Sequence, residues 1–121
     1  MLRPIPARIL THSATLKQCT GIDVWQEPTY TDIPLEHICV QPVHETRMDA
    51  TNTEVALTSV AFIDARLSSP QGFDFQQAQD ISEANGCPLA FYYQGRHYIV
   101  LTVDALCDDT GAYHHTELGL K

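Results

Sequence analysis

The chain has 121 residues, of which 44% are hydrophobic and 18% charged, and its formal net charge at neutral pH is −8. This length supports one domain with one hydrophobic core, and it excludes a catalytic domain joined to a regulatory one. The acidic excess lacks the basic footprint of nucleic-acid binding, because gripping a phosphate backbone requires clustered Lys and Arg.

The N-terminal residues contain no apolar run of signal-peptide length, and no stretch approaches the roughly 20 apolar residues of a membrane span. We therefore expect no visible export route and no membrane partner. The four cysteines, Cys19, Cys39, Cys87 and Cys107, stand apart without zinc-site spacing. We expect four reduced thiols, mostly packed as small apolar groups, with a disulfide framework or a Cys₄ zinc site as the alternatives.

The dominant period of the sequence is two, which is typical of strands. Residues 6–17 mix β-branched and polar side chains and predict an early, partly exposed strand. Residues 37–44 predict a second strand, which stops or bends at Pro42 because proline removes a ladder donor. Between these segments, Trp25 lies in a loop-like stretch and is predicted to anchor that loop against the protein body.

Residues 45–54 carry almost no apolar side chains and are predicted to form a long, solvated loop. Such loops in small domains usually carry function or are disordered. The residues of this loop are Glu45, Thr46, Arg47, Met48, Asp49, Ala50, Thr51, Asn52, Thr53 and Glu54.

The second half of the chain predicts further strands and one helix. Residues 55–64 place apolar side chains on both faces, as expected for a strand covered on both sides. Asp74 and Gln77 resemble a capping box for a short helix that ends before Gly86. The buried face of that helix is predicted to carry Phe75, Ala78, Ile81 and Ala84.

A hairpin and a terminal strand complete the prediction, and the hairpin is the clearest element. Residues 89–93 and 97–103 flank a Gly-containing turn and predict a hairpin. Residues 113–120 predict a terminal strand that puts Leu118 and Leu120 on one face, and His115 and Glu117 on the other. The whole chain is thus one domain, 1–121, of the mainly β class. It is predicted to be a small antiparallel β-barrel or sandwich of about five to six strands with one short helix.

The sequence contains no motif that assigns a catalytic, cofactor-binding or metal-binding residue. His114, His115 and Glu117 suggest a metal site at first, but only His115 and Glu117 share a strand face. A complete site would need His97 or His44 brought in by the fold. The glycines stand singly, so no phosphate-cradling loop is present, and no nucleophile elbow is found.

The order of several segments resembles the minor capsid, or head-closure (stopper), proteins of long-tailed bacteriophages. The segments are Arg3-Pro4-Ile5-Pro6 before Leu10-Thr11-His12, Val40-Gln41-Pro42 before the polar loop, Phe62-Ile63-Asp64-Ala65, Tyr93-Gln94-Gly95-Arg96-His97-Tyr98-Ile99-Val100, and His114-His115-Thr116-Glu117-Leu118. The resemblance spans nearly the whole chain and rests on order and spacing.

The resemblance implies a small β-barrel that self-associates into a ring, six- or twelve-fold, at the neck of a virion assembled in the host cytoplasm. The ring would lie below the portal and adaptor proteins, dock the tail proteins and let the genome DNA pass without sequence-specific binding. The 45–54 loop would face the channel. The terminal strand is our candidate assembly interface, through Tyr113, His114, His115 and Glu117.

Two alternatives come from other functional classes. One is a small metal-dependent enzyme, and the other is a cytoplasmic β-barrel module that binds a ligand. Either would use His97, His114 and His115. The acidic composition favours the connector, since a ring around packaged DNA must not trap the duplex.

Overall fold

A computed structural model describes residues 7–48, 52–65, 67–69, 73–107 and 110–121. It shows six antiparallel strands in one sheet and one short α-helix, which confirms the predicted mainly β class. A 3-10 turn at Ala7–Ile9 precedes the first strand. The strands are β1 (His12–Ile22), β2 (Pro28–Met48), β3 (Glu54–Asp64), β4 (Ala90–Tyr93), β5 (Arg96–Cys107) and β6 (Tyr113–Leu120), and α1 (Phe75–Ala84) lies between β3 and β4.

The sheet closes on itself in the order β1-β2-β3-β6-β5-β4. Closure occurs where β4 returns to β1, with Leu16 opposite Phe91 and Thr15 opposite Tyr92. Closing a sheet pairs the two strands that would otherwise be edges, and an unpaired edge is a template for aggregation. We therefore expect side chains and projecting hairpins, and not the strands joined by closure, to make contacts with other proteins.

The interior of the closed sheet is apolar because alternate residues of every strand point inward. Leu118 pairs with Ala61, and both lie in the core. Leu118 and Leu120 share the core face as predicted. The core residues are Leu16, Leu35, Ile38, Val40, Ala61, Ile63, Phe75, Ala78, Leu89, Phe91, Val100, Leu118 and Leu120.

Helix α1 begins as predicted but buries a different stripe. The Asp74 carboxylate accepts a hydrogen bond from the backbone N–H of Gln77 at 3.0 Å, which caps the helix N-terminus. Phe75, Ala78 and Ser82 are buried, whereas Ile81 and Ala84 are exposed, so the predicted apolar face was wrong at those two positions. The rotation follows from Ser82, whose Oγ accepts the Cys19 backbone N–H at 3.0 Å and holds this side of α1 against β1.

The predicted loop at 45–54 is wrong for most of its described residues. Glu45 pairs with Leu57, Arg47 with Val55 and Met48 with Glu54, so β2 and β3 continue as a hairpin well past Pro42. Asp49, Ala50 and Thr51 lie outside the described residues. A register shift between Pro42 and Glu45 marks a β-bulge or irregularity, and β2 continues to Met48, so the strand does not stop at Pro42. We call residues 43–48 and 54–58 the arm.

Two further expectations are corrected by the fold. Cys19 and Cys87 form a disulfide with a Cα–Cα separation of 5.8 Å, so the expectation of four reduced thiols was wrong. Their distance of 68 positions along the chain concealed a pairing that only the docking of α1 against β1 creates. Trp25 does not anchor a loop, because it is 80% exposed at the end of the β1–β2 hairpin.

No helix within the described ranges has the length and hydropathy required to cross a membrane.

Candidate functional site

The arm has one buried face and one exposed face. Arg47, Val55 and Leu57 are partly or fully buried, while Thr46, Glu54 and Ala56 between them are exposed. This alternation is expected for a two-stranded ribbon that packs one of its faces against another surface. The buried side faces the outside of β5 and β6, as the following contacts show.

Arg47 is the main polar contact of the arm. Its Nη2 lies 2.8 Å from Oε1 of Glu117 on β6, and its Nη1 lies 3.2 Å from Oδ2 of Asp104 on β5. Asp104 and Glu117 are direct cross-strand neighbours, so their carboxylates share one face of the sheet. Glu45, on the same side of the arm, adds a third carboxylate 2.9 Å from Nη2. One guanidinium is thus held by three carboxylates.

The pKa values of this cluster show which charges stabilise it. Burial opposes the charge on Arg47, but hydrogen bonding and proximity to Glu117 and Glu45 outweigh it and raise the Arg47 pKa above its ordinary value. Burial by itself would raise the pKa of Glu117. The hydrogen bonds from His115 and Arg47, together with the Arg47 charge, reverse this effect, and the pKa of Glu117 lies below its ordinary value. Both groups are therefore ionised at neutral pH.

His115 completes the cluster on β6. Its Nε2 lies 2.9 Å from Oε2 of Glu117, so each Glu117 oxygen has its own partner. The Nδ1 atoms of His114 and His115 lie 2.7 Å apart, within hydrogen-bond distance. Tyr113 is hydrogen-bonded to Thr116, and burial raises the Tyr113 pKa above its ordinary value. The side chain of Glu117 is only 16% exposed, because its own chain covers most of it.

The second contact of the arm is apolar. Leu57 is buried although it lies outside the core cluster, and its methyl groups lie 2.8 and 3.0 Å from where a Cβ on Gly119 would be. The same Cβ would lie 2.2 Å from Oγ1 of Thr102, so only glycine allows this close approach. Within the described part of the chain, the buried Thr102 hydroxyl has no hydrogen-bond partner. The arm therefore lies over a small, closely packed patch around Gly119.

The structure brings together two groups of residues that the sequence left separate. Arg47 came from the predicted channel loop, and Glu117 and His115 came from the predicted assembly strand; they now form one cluster. Sequence reasoning missed Asp104 as a member. The signal it could have used is alternation, because Asp104 stands between Val103 and Ala105 on a strand with an otherwise apolar middle.

His97 lies far from the other two histidines. It lies at the start of β5, where its ring contacts the Tyr92 ring in a tilted arrangement with ring centroids 4.7 Å apart. His115 pairs with Leu106, nine residues further along that strand, which corresponds to about 30 Å of extended chain at about 3.3 Å per residue. The three histidines named for the alternative enzyme or ligand module therefore do not form one site. Among the described residues, no group of three His, Cys, Asp or Glu side chains is arranged to hold a metal ion.

Two surface pockets lie outside the arm. An apolar pocket of about 390 Å³ opens between the first turn of α1 and the strands β5 and β6. A more polar pocket of about 580 Å³ lies near the β4–β5 turn; His12 and Arg96 are among its lining residues. Nδ1 of His12 accepts the backbone N–H of Val40 at 2.9 Å, so this histidine also has a structural role.

Comparison with known proteins places the chain in one family. No curated protein matches the chain significantly. A family model described as "Minor capsid protein" matches residues 6–120, which is nearly the whole chain and includes all six strands and the helix. The chain belongs to this minor capsid protein family and is a structural component of a bacteriophage virion.

Proposed function

We propose that this minor capsid protein is a head–tail connector of the head-closure, or stopper, type. In this role the chain forms a ring of six or twelve copies below the portal and adaptor, lines the DNA channel and docks the tail. Family membership supports a structural role in the virion. The closed sheet, with its two projecting hairpins, supplies a rigid body with side-chain surfaces for neighbours.

The observation that carries the proposal is the neutralised charge of the arm. Arg47 is the only Lys or Arg among the described arm residues, and three carboxylates surround it. Glu54 adds a further negative charge to the same hairpin. Duplex DNA is held mainly by free cations that displace its counterions, so an arm of this composition lets DNA pass without binding it.

The strand pairing of the arm changes the form in which we propose that this segment faces the channel. Residues 45–48 and 54 are paired strand, so in this proposal they face the channel as part of a hairpin and not as part of a ten-residue loop. Glu117 contacts Arg47 of that hairpin, and His115 in turn contacts Glu117. Tyr113 and His114, at the start of β6, are the residues that we still propose to contact the neighbouring copy in the assembly.

Electron microscopy of the chain mixed with the products of its neighbouring phage genes tests this proposal. We expect rings on portal-containing particles, and heads that retain DNA only when the chain is present. A chain that stays monomeric beside the portal components would contradict the connector role. A direct companion measurement is duplex binding at low salt, where we expect none; tight binding at 50 mM salt would contradict the charge argument.

A further inference from the structure

The end of the β1–β2 hairpin presents a large apolar side chain to solvent. Trp25 is 80% exposed and Val24 is 86% exposed, and the exposed Ile22 lies just below them. Tryptophan is among the residues most often found as the central anchor of a protein interface. A cluster of exposed apolar side chains at the end of a projecting hairpin indicates a site of protein–protein interaction.

The backbone around Trp25 is held in one conformation. Oδ1 of Asp23 accepts the backbone N–H groups of Trp25 at 2.9 Å and Glu27 at 3.0 Å. The N–H of Asp23 donates to the Glu27 carbonyl at 2.9 Å, and Gln26 takes a positive φ of 64° to complete the turn. The Cys19–Cys87 disulfide ties the hairpin to the end of α1. A side chain presented on a rigid turn loses little entropy when it binds.

The apolar pocket beside α1 has the chemistry to receive an indole ring. Its volume of about 390 Å³ falls within the range of pockets that hold small organic ligands. Phe73 and Phe75 meet edge to face in its wall, with ring centroids 4.9 Å apart. Asp74, Tyr113 and Thr116 supply oxygen atoms at the pocket, and the indole N–H, a donor without an acceptor function, needs one such atom.

The hairpin end and the pocket lie at opposite ends of α1, so one molecule cannot join them. The pocket is at Asp74 and Phe75, where the helix begins. The hairpin is at its other end, where the Asn85 side chain donates to the Cys19 carbonyl at 3.0 Å. The ten-residue helix separates the two sites by about 15 Å, and Trp25 lies farther out still.

We propose that Trp25 of one copy inserts into the pocket formed by Phe73, Phe75, Ala105 and Tyr113 of the next copy. The contact uses two different surfaces, so it is head-to-tail, and such contacts generate a ring when the rotation between copies closes. This inference rests on the proposed function, since it names the contact that builds the connector ring. It also gives the predicted interface residue Tyr113 a defined partner.

Trp25 is the only tryptophan of the chain, so its fluorescence reports the contact directly. In the dilute full-length protein we expect an emission spectrum typical of water-exposed indole. With rising concentration, the emission shifts to shorter wavelength in step with sedimentation of larger species. A protein that sediments as a monomer at all concentrations, or associates while Trp25 stays accessible to acrylamide, would overturn the inference.

Two variants test the two sides of the contact one at a time. Trp25→Ala removes the inserted side chain, and Ala105→Glu puts a charged side chain into the exposed mouth of the pocket. Each is expected to weaken self-association by more than about tenfold, with an unchanged far-ultraviolet circular dichroism spectrum. Mixed in equal amounts, they retain one intact hairpin end and one intact pocket, so we expect one-to-one dimers and nothing larger. Ile99→Ala, at an exposed apolar residue elsewhere, is the matched control and should associate as the wild type does.

The outcomes distinguish this inference from the proposed function. Rings on portal-containing particles that form equally well with Trp25→Ala would overturn the Trp25 contact and leave the connector role intact. Concentration-dependent burial of Trp25 without any ring at the portal would support the contact and contradict the connector role. Burial of Trp25 only when a different phage protein is added would overturn the contact between copies.

Discussion

Arg47 and Glu117 are separated by 70 positions in the chain, yet Nη2 of Arg47 lies 2.8 Å from Oε1 of Glu117. This pair joins the arm to the outside of the closed sheet. The rest of the cluster and the closely packed patch at Gly119 extend the same contact.

Arg47→Ala should undock the arm. The change removes charge-assisted hydrogen bonds to a mostly buried carboxylate, and we expect it to lower the free energy of unfolding by about 1–2 kcal/mol. Hydrogen exchange at residues 44–48 and 54–58 should become faster than in the wild type. Lys17→Ala is the control, because the Lys17–Asp32 pair is more exposed and should contribute less than about 1 kcal/mol. Equal effects of the two substitutions would contradict a special role for Arg47.

The arm contact should weaken in acid. Because the folded pKa of Glu117 is lowered, its contribution to stability is complete above the ordinary Glu pKa of about 4.3 and is lost as the pH falls through the lower folded value. Urea unfolding between pH 2 and 7 should show this loss in the wild type. In Glu117→Gln the acid-dependent loss should be smaller. An identical pH profile for both proteins would show that Glu117 is not the titrating partner.

Gly119→Ala should separate the arm from β5 and β6. The new Cβ would lie too close to the Thr102 hydroxyl and a Leu57 methyl, so these side chains must shift, and we expect the displaced Leu57 to move the arm with it. We expect a loss of about 1–3 kcal/mol in the free energy of unfolding, as for other overpacked sites. Gly95→Ala is informative beside it, since its added Cβ meets no atom and only its positive φ is strained. The unfolding temperatures of the two variants compare the destabilisation caused by a steric clash at Gly119 with that caused by backbone strain at Gly95.

Thr102→Val should stabilise the protein. Valine keeps the shape of threonine but removes a buried hydroxyl that has no partner in the described part of the chain. We expect a gain of about 1 kcal/mol, because the desolvation cost of that hydroxyl disappears. A loss of stability in chemical denaturation would show that the hydroxyl makes a hydrogen bond in solution.

Reduction of the Cys19–Cys87 disulfide should destabilise the fold. The bond closes a segment of 68 positions, for which the chain-entropy model gives a contribution of about 4 kcal/mol. The oxidised protein should react with two equivalents of thiol reagent when unfolded, from Cys39 and Cys107. The Cys19→Ser and Cys87→Ser double variant should unfold at lower temperature, whereas Cys107→Ser at an exposed site should not. Four reactive thiols in protein prepared without reductant would restore the expectation from sequence.

The sequence by itself determined the elements whose signal is local. Alternation at Leu118 and Leu120 predicted the core face of β6, the Asp74 and Gln77 spacing predicted the start of α1, and the turn at Gly95 predicted the β4–β5 hairpin. Each depends on residues within a few positions of one another, where strand and helix periods and capping act.

Only the tertiary structure decided the features that depend on distant partners. Residues 45–48 predict a loop because Met48 is their single apolar side chain, but pairing with β3 and neutralisation of Arg47 by Asp104 and Glu117 make them a docked strand. The Cys19–Cys87 bond and the exposure of Trp25 follow in the same way from how α1 and the β1–β2 hairpin are placed. Periodicity records which side of an element is apolar, whereas ion pairs and disulfides depend on which elements the closed sheet brings together in space.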